Sequence, residues 1–138
     1  MFIDDKEMMD VVVYYKRQGH DYEAYTKAEF DTIKMEDEEK KKFDVVNIKA
    51  SVLTWGVYND LQDSAMIINI DGDRRFNYKI YKENRLKKMV QEWDAKDKEG
   101  NPVKENEANM MKLSPIVAEA ILRGLDESSF VSEEEENL

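Results

Sequence analysis

The sequence predicts an α+β domain with a small N-terminal β segment (residues 1–50) and a helical second half (54–125). A disordered acidic C-terminal tail (126–138) follows. Three observations predict it. β-branched and aromatic residues gather in two short runs, Met9–Lys16 and Phe43–Ala50, a composition that suits the pleated, half-buried surface of a strand. After Thr54 the apolar residues recur at helical spacing. After Arg123 there is no Lys or Arg, while Asp126, Glu127 and Glu133 to Glu136 supply six acids.

At 138 residues the chain has room for one domain with a modest core. It carries 21 basic against 31 acidic residues, a net charge of −10. Without the six acids of the tail the balance is 21 against 25, a net of −4, so the body is nearly neutral. A solvated acidic tail aids solubility or meets a basic partner. A negative chain is repelled by phosphate backbones, so no nucleic-acid partner is expected. With no cysteine there is no disulfide, thiol nucleophile or thiolate metal site. No apolar run reaches the roughly 20 residues that cross a bilayer, and the acidic N-terminal residues hold no apolar signal core. A soluble, intracellular, single-domain protein without membrane contact is expected.

In chain order, Val11-Val12-Val13-Tyr14-Tyr15 centres the first strand, and Gly19-His20-Asp21 breaks it. Residues 28–42 have the mixed character of one or two short helical turns. In Phe43–Ala50, Val46 and Ile48 share one face of a strand, with Phe43 and Val45 on the other. Thr54 is placed to cap a helix, on which Val57, Tyr58, Leu61, Ala65 and Ile68 form an apolar arc. Asn69–Asp73 supplies a turn around Gly72. A longer helix runs from about Asn77 to Trp93, burying Leu86, Met89, Val90 and Trp93. Its basic residues, Arg74 to Lys88, face solvent. Asp94–Lys104 is a polar loop with Gly100 and Pro102, and Glu105–Met111 a short helix. Ser114-Pro115 then opens a last helix, with Ser as cap and Pro where a missing N–H costs nothing. Val117, Ile121 and Leu125 form its buried side, joined by Ala120 and Gly124.

The search for chemistry returns no catalytic residue, cofactor or metal site, and no enzyme is expected. His20 is the single histidine, set in a turn, where a surface role outweighs acid–base work. Gly72 and Gly100 are isolated turn glycines rather than parts of a phosphate-binding loop. Setting Gly100 at the glycine position of a calcium loop puts Ala95 and Asn106 where carboxylates are needed. The many carboxylates lie in polar contexts that leave them a solvated surface.

From Leu53 onward an ordered set of motifs stands out: Leu53-Thr54-Trp55-Gly56 with Asn59, then Glu92-Trp93-Asp94, then Gly100 and Pro102, then Leu113-Ser114-Pro115 with Ile116-Val117-Ala118. This succession, over roughly residues 43–125, resembles the tail-assembly chaperone family of long-tailed bacteriophages. The resemblance implies a non-catalytic protein that binds the phage tape-measure protein, and the tail-tube protein as a second partner, keeping its client soluble in the host cytoplasm. It also permits a homo-oligomer and a longer frameshifted form. A chaperone of this kind needs apolar surface for long apolar helices and an acidic exterior. The partner-binding residues expected are Trp55, Tyr58, Trp93, Met110 and Met111. Met89 is expected in the core, whereas the adjacent Met110 and Met111 cannot both face one core. Two other readings are a structural virion component of the tail or neck, and an acidic inhibitor of a host nucleic-acid-binding protein.

Overall fold

In the computed structural model, which describes residues 1–129, the elements follow the order β1 (Met8–Gln18), β2 (Asp21–Thr26), α1 (Lys27–Thr32), α2 (Asp37–Lys40), β3 (Asp44–Ser51), α3 (Trp55–Ser64), β4 (Met66–Ile68), β5 (Arg74–Phe76), α4 (Tyr78–Met89), β6 (Val90–Trp93), α5 (Glu107–Met110) and α6 (Pro115–Ser129). Four strands make one antiparallel sheet in the order β2-β1-β3-β6, and β4 pairs with β5 alone. Along β1, buried Val11 and Val13 alternate with half-buried Val12 and Tyr14, and this two-residue period sets the two faces of the sheet.

The first face is the core. Val13 lies opposite Val46 and Thr26, and Val11 opposite Ile48, all covered by Val117, Ile121 and Leu125 of α6 and by Leu86 and Met89 of α4. Helix α6 lies so close to β1 that a Cβ added at Gly124 would stand 2.6 Å from Val11 Cγ1. Polar contacts hold the helix in place. The Thr26 hydroxyl, completely buried, donates to Glu127 at 2.8 Å and accepts the Glu29 backbone N–H at 3.2 Å. Glu29 accepts the Thr26 N–H in return, a reciprocal cap of α1. The Arg123 guanidinium grips the Glu29 carboxylate with two bonds of 2.9 and 3.0 Å, and this holds the acid below its ordinary pKa.

The second face carries an aromatic cluster. Tyr14 stacks on Phe30 at 4.1 Å, and Phe43 lies 5.2 Å from Phe30 and 5.8 Å from Tyr25. Lys40 closes it, its ammonium donating to the Phe30 carbonyl at 2.8 Å. The Tyr25 phenol is pushed up to about 12 by its hydrogen bond to Glu23. At the β6 side, Asp94 takes the place of a further pairing residue. Its carboxylate accepts the Asn47 backbone N–H at 2.7 Å and the Asn47 side-chain amide at 2.9 Å.

The α+β class, the strands β1 and β3, the Thr54 cap of α3, the Gly72 turn and Pro115 at the start of α6 agree with expectation. The second half is not wholly helical, however. Helix α3 stops at Ser64, and the Ala65 carbonyl accepts the Asn77 N–H at 2.7 Å, opening a hairpin. Ile68 therefore sits on exposed β4 rather than on a buried helical face. Helix α4 ends at Met89, and Val90 and Trp93 reach the core from β6, where a register shift puts both against β3. β2 was not expected, because its inner face is carried by Tyr22, Ala24 and Thr26, small or amphipathic residues with a weak apolar signal, while Asp21 and Glu23 lie on the outer face. Arg85, expected in solvent, is buried, with Nη1 2.7 Å from Asp126 and Nε lacking a partner among the described residues.

The tail boundary also moves. Asp126 and Glu127 belong to α6, whose Ser128 hydroxyl donates to the Asp10 carbonyl at 3.0 Å. The Glu133–Glu136 run lies outside the described residues. Ser114, just ahead of α6, donates its hydroxyl to Asp21 at 2.8 Å, and its backbone carbonyl accepts the Ala118 N–H at 2.9 Å.

Two outcomes follow. Gly124→Ala adds a methyl group against a β-branched side chain that has little room to rotate. Its gain in helix propensity is outweighed, and denaturant melts should show a net loss of about 1–2 kcal/mol. Glu29 titrates below the ordinary 4.5 in the folded chain, so its contribution is complete above that value and lost as pH falls through the folded pKa. Glu29→Gln should therefore lower stability near neutrality and flatten its decline on acidification, read by denaturant melts across pH 2.5–7.

Candidate interaction surface

Between β3 and β6 the chain leaves the sheet to form α3, the β4–β5 hairpin and α4. Antiparallel α3 and α4 pack together and bury Leu61 and Ala65, while much else that is apolar stays outside. Thr54 fixes the start of α3 by accepting the Val57 N–H at 3.3 Å, which places Trp55 at the first helical position. Trp55 is 78% exposed and lies 6.2 Å from the Tyr58 ring at an interplanar angle of 22°, so the two make one stacked platform at i, i+3 spacing.

At the other end of α3 the hairpin makes a second apolar patch. Its loop is closed by the Asn69 N–H on the Asp73 carbonyl at 2.8 Å and by Gly72 at φ 86°. Met66, Ile67, Ile68, Ile70 and Phe76 are all exposed, Ile70 fully. Phe76, Tyr78 and Tyr81 lie with ring centroids 5.4–6.0 Å apart, extending the patch onto α4. Basic groups border it: Arg74 and Arg75 on β5, and Lys82, whose ammonium lies 5.8 Å from the Tyr78 ring and 2.7 Å from Glu119. The bond to Glu119 raises the Lys82 pKa. The ten residues of α3 span about 15 Å, with one patch at each end of the helix.

The five residues expected to bind partners do not form one site. Trp55 and Tyr58 come together and Met111 is exposed, whereas Met110 is 5% exposed and belongs to the core. Trp93 is half-buried on β6, its indole N–H donating to the Val103 carbonyl at 2.6 Å. It lines a separate cleft of about 310 Å³ between the sheet and α6, with Tyr15 and Tyr22 opposite. Burial raises the Tyr15 phenol pKa there, and the Asp44 carboxylate adds to it. The hairpin patch was missed, although its signal was present: an apolar run, Met66–Ile68, ahead of an Asp-Gly turn. Among the described residues no three His, Asp or Glu side chains converge as a metal site, and no helix is long and apolar enough to cross a membrane.

These placements separate surface from core by a simple measurement. Trp55→Ala and Met111→Ala should shift folding stability by no more than about 0.5 kcal/mol. Met110→Ala should cost about 2–5 kcal/mol, as removal of a core side chain does. Urea melts of the three variants check both.

No protein-family model, curated protein or solved structure matches this chain.

Proposed function

We propose that this protein is a non-catalytic bacteriophage tail-assembly chaperone that binds the tape-measure protein and keeps it soluble, with the tail-tube protein as a second client. One observation carries the reading. Two exposed apolar patches stand at the ends of α3, Trp55–Tyr58 and the β4–β5 hairpin, in the part of the chain whose motif order resembles that family. Helix α3 between them is about 15 Å long, the length of ten residues, nearly three turns, of a partner helix. A long apolar helix needs such repeated footholds, because apolar faces bound in water are removed from aggregation only where they are covered. The basic border of the hairpin would meet the polar flank of the same helix.

The test is co-expression with the tape-measure protein of a long-tailed phage, reading its soluble fraction and its co-purification. The doubly altered chain Trp55→Ala/Ile68→Glu changes only exposed side chains and should fold normally. It should lose client binding by roughly ten-fold or more. Changing Met110 is unsuitable, since a lysine there would bury an ammonium in the core. Equal solubilisation by the doubly altered chain would remove these patches from the function, and absence of any tape-measure capture by the unaltered chain would remove the function itself.

A further inference from the structure

The cleft beside Trp93 and the N-terminal arm lie at opposite ends of the sheet, and each has what the other lacks. The cleft is floored by Tyr15, Tyr22, Trp93, Val103, Leu113 and Val117. Its volume of about 310 Å³ is roughly twice the 150 Å³ that holds a benzene ring. Three charged side chains stand at its mouth, Lys96, Asp97 and Lys112. Asp97 is engaged by its own turn, accepting the N–H groups of Glu99 at 3.0 Å and Asn101 at 2.9 Å. Neither lysine forms an ion pair among the described residues. An apolar group followed by acid is the ligand chemistry this asks for.

Met1-Phe2-Ile3-Asp4-Asp5 has that order, and its apolar part is uncovered: Phe2 is 94% exposed and Ile3 42%. The arm cannot fill its own cleft: Trp93 lies level with Val11 across the sheet, about at the limit of its reach, but the end of the cleft at Tyr15, Tyr22 and Lys112 lies beyond it. Glu7 is pinned beside the end of β3 by the Val52 N–H at 3.3 Å, so Phe2 has five residues, about 17 Å, of reach. Tyr15 lies seven residues along β1 from Met8, about 23 Å away at the strand rise. Helix α6 gives the same polarity, with Ser114 bonded to Asp21 at the cleft end and Ser128 to Asp10 at the arm end.

We propose that the cleft receives the N-terminal arm of a second copy, Phe2 entering against Tyr15 and Tyr22 and Asp4 and Asp5 meeting Lys96 and Lys112. The contact joins unlike surfaces, so it propagates head to tail and ends as a ring or an open filament. It is independent of the α3 and hairpin patches.

Sedimentation velocity of the full chain over a concentration series should show self-association that Phe2→Asp abolishes. Chain carrying Trp55→Phe and Phe2→Asp keeps Trp93 as its single tryptophan and has an open cleft. Titrated with a peptide of residues 1–8, its emission should change and saturate. Lys96→Glu/Lys112→Glu should weaken that binding roughly ten-fold or more, and a peptide with Asp4→Lys/Asp5→Lys should recover it. A chain that stays monomeric to its solubility limit overturns the proposal, as does peptide binding indifferent to the two lysines. Self-association that survives Phe2→Asp and disappears with Ile68→Glu assigns the contact to the hairpin instead.

Discussion

The approach of α6 to β1 at Gly124 is the constraint on which the rest of the fold depends. Only a residue without a side chain lets the helix backbone lie against Val11, and that depth lets Ile121 and Leu125 disappear completely from solvent. Burying such side chains contributes about 1.5–3 kcal/mol each, but only while the helix stays at that depth. The contacts of Thr26 and Glu29 with Glu127 and Arg123 act at the same end of α6 and fix its rotation. Apolar attraction has no direction, so the choice among rotations falls to these polar groups. The same helix meets α4 through Asp126 and Arg85 and through Glu119 and Lys82, which ties the excursion between β3 and β6 back to the sheet.

That excursion divides the molecule into two kinds of surface. Around the sheet, apolar side chains are inside and charge is outside. Around α3 and the hairpin, the interior is a thin seam of Leu61 and Ala65, and large apolar side chains remain in water. A two-stranded sheet of three-residue strands has little intrinsic stability, so the hairpin persists through its junctions, Ala65 with Asn77 at one end and Asn69 with Asp73 at the other. Ile68 and Ile70 keep most of their surface in water. Surface of that kind signals association when it is gathered rather than scattered.

What the sequence made legible was whatever local rules determine. β1 and β3 are runs of β-branched and aromatic residues; Thr54 and Pro115 satisfy helix ends within a few residues; and Gly72 turns the chain by itself. What it hid was set by distant partners. The inner face of β2 is only Tyr22, Ala24 and Thr26, and pairing with β1 is what buries it. Val90 and Trp93 fit a helical stripe as well as they fit β6, and only the register shift opposite Lys49 and Ala50 separates the two. Arg85 looks like one more base on a basic helix until Asp126 arrives from 41 positions away. In the candidate surface, Trp55 and Tyr58 were legible through their spacing on one helix. The hairpin was not, because Ile68 continued the apolar period of α3.

Asp94 has a consequence of a different kind. β6 is shorter than β3, and the uncovered part of β3 offers backbone N–H and C=O groups to any passing chain. Here the carboxylate of Asp94 occupies the N–H of Asn47, and its own N–H goes to the Asn47 carbonyl at 3.2 Å. A strand adding alongside would bring its carbonyl oxygens against a carboxylate. Pairing on β3 therefore stops at Asp94: a carboxylate ends the strand contact where β6 runs out, and the outer edges of the sheet are those of β2 and β6.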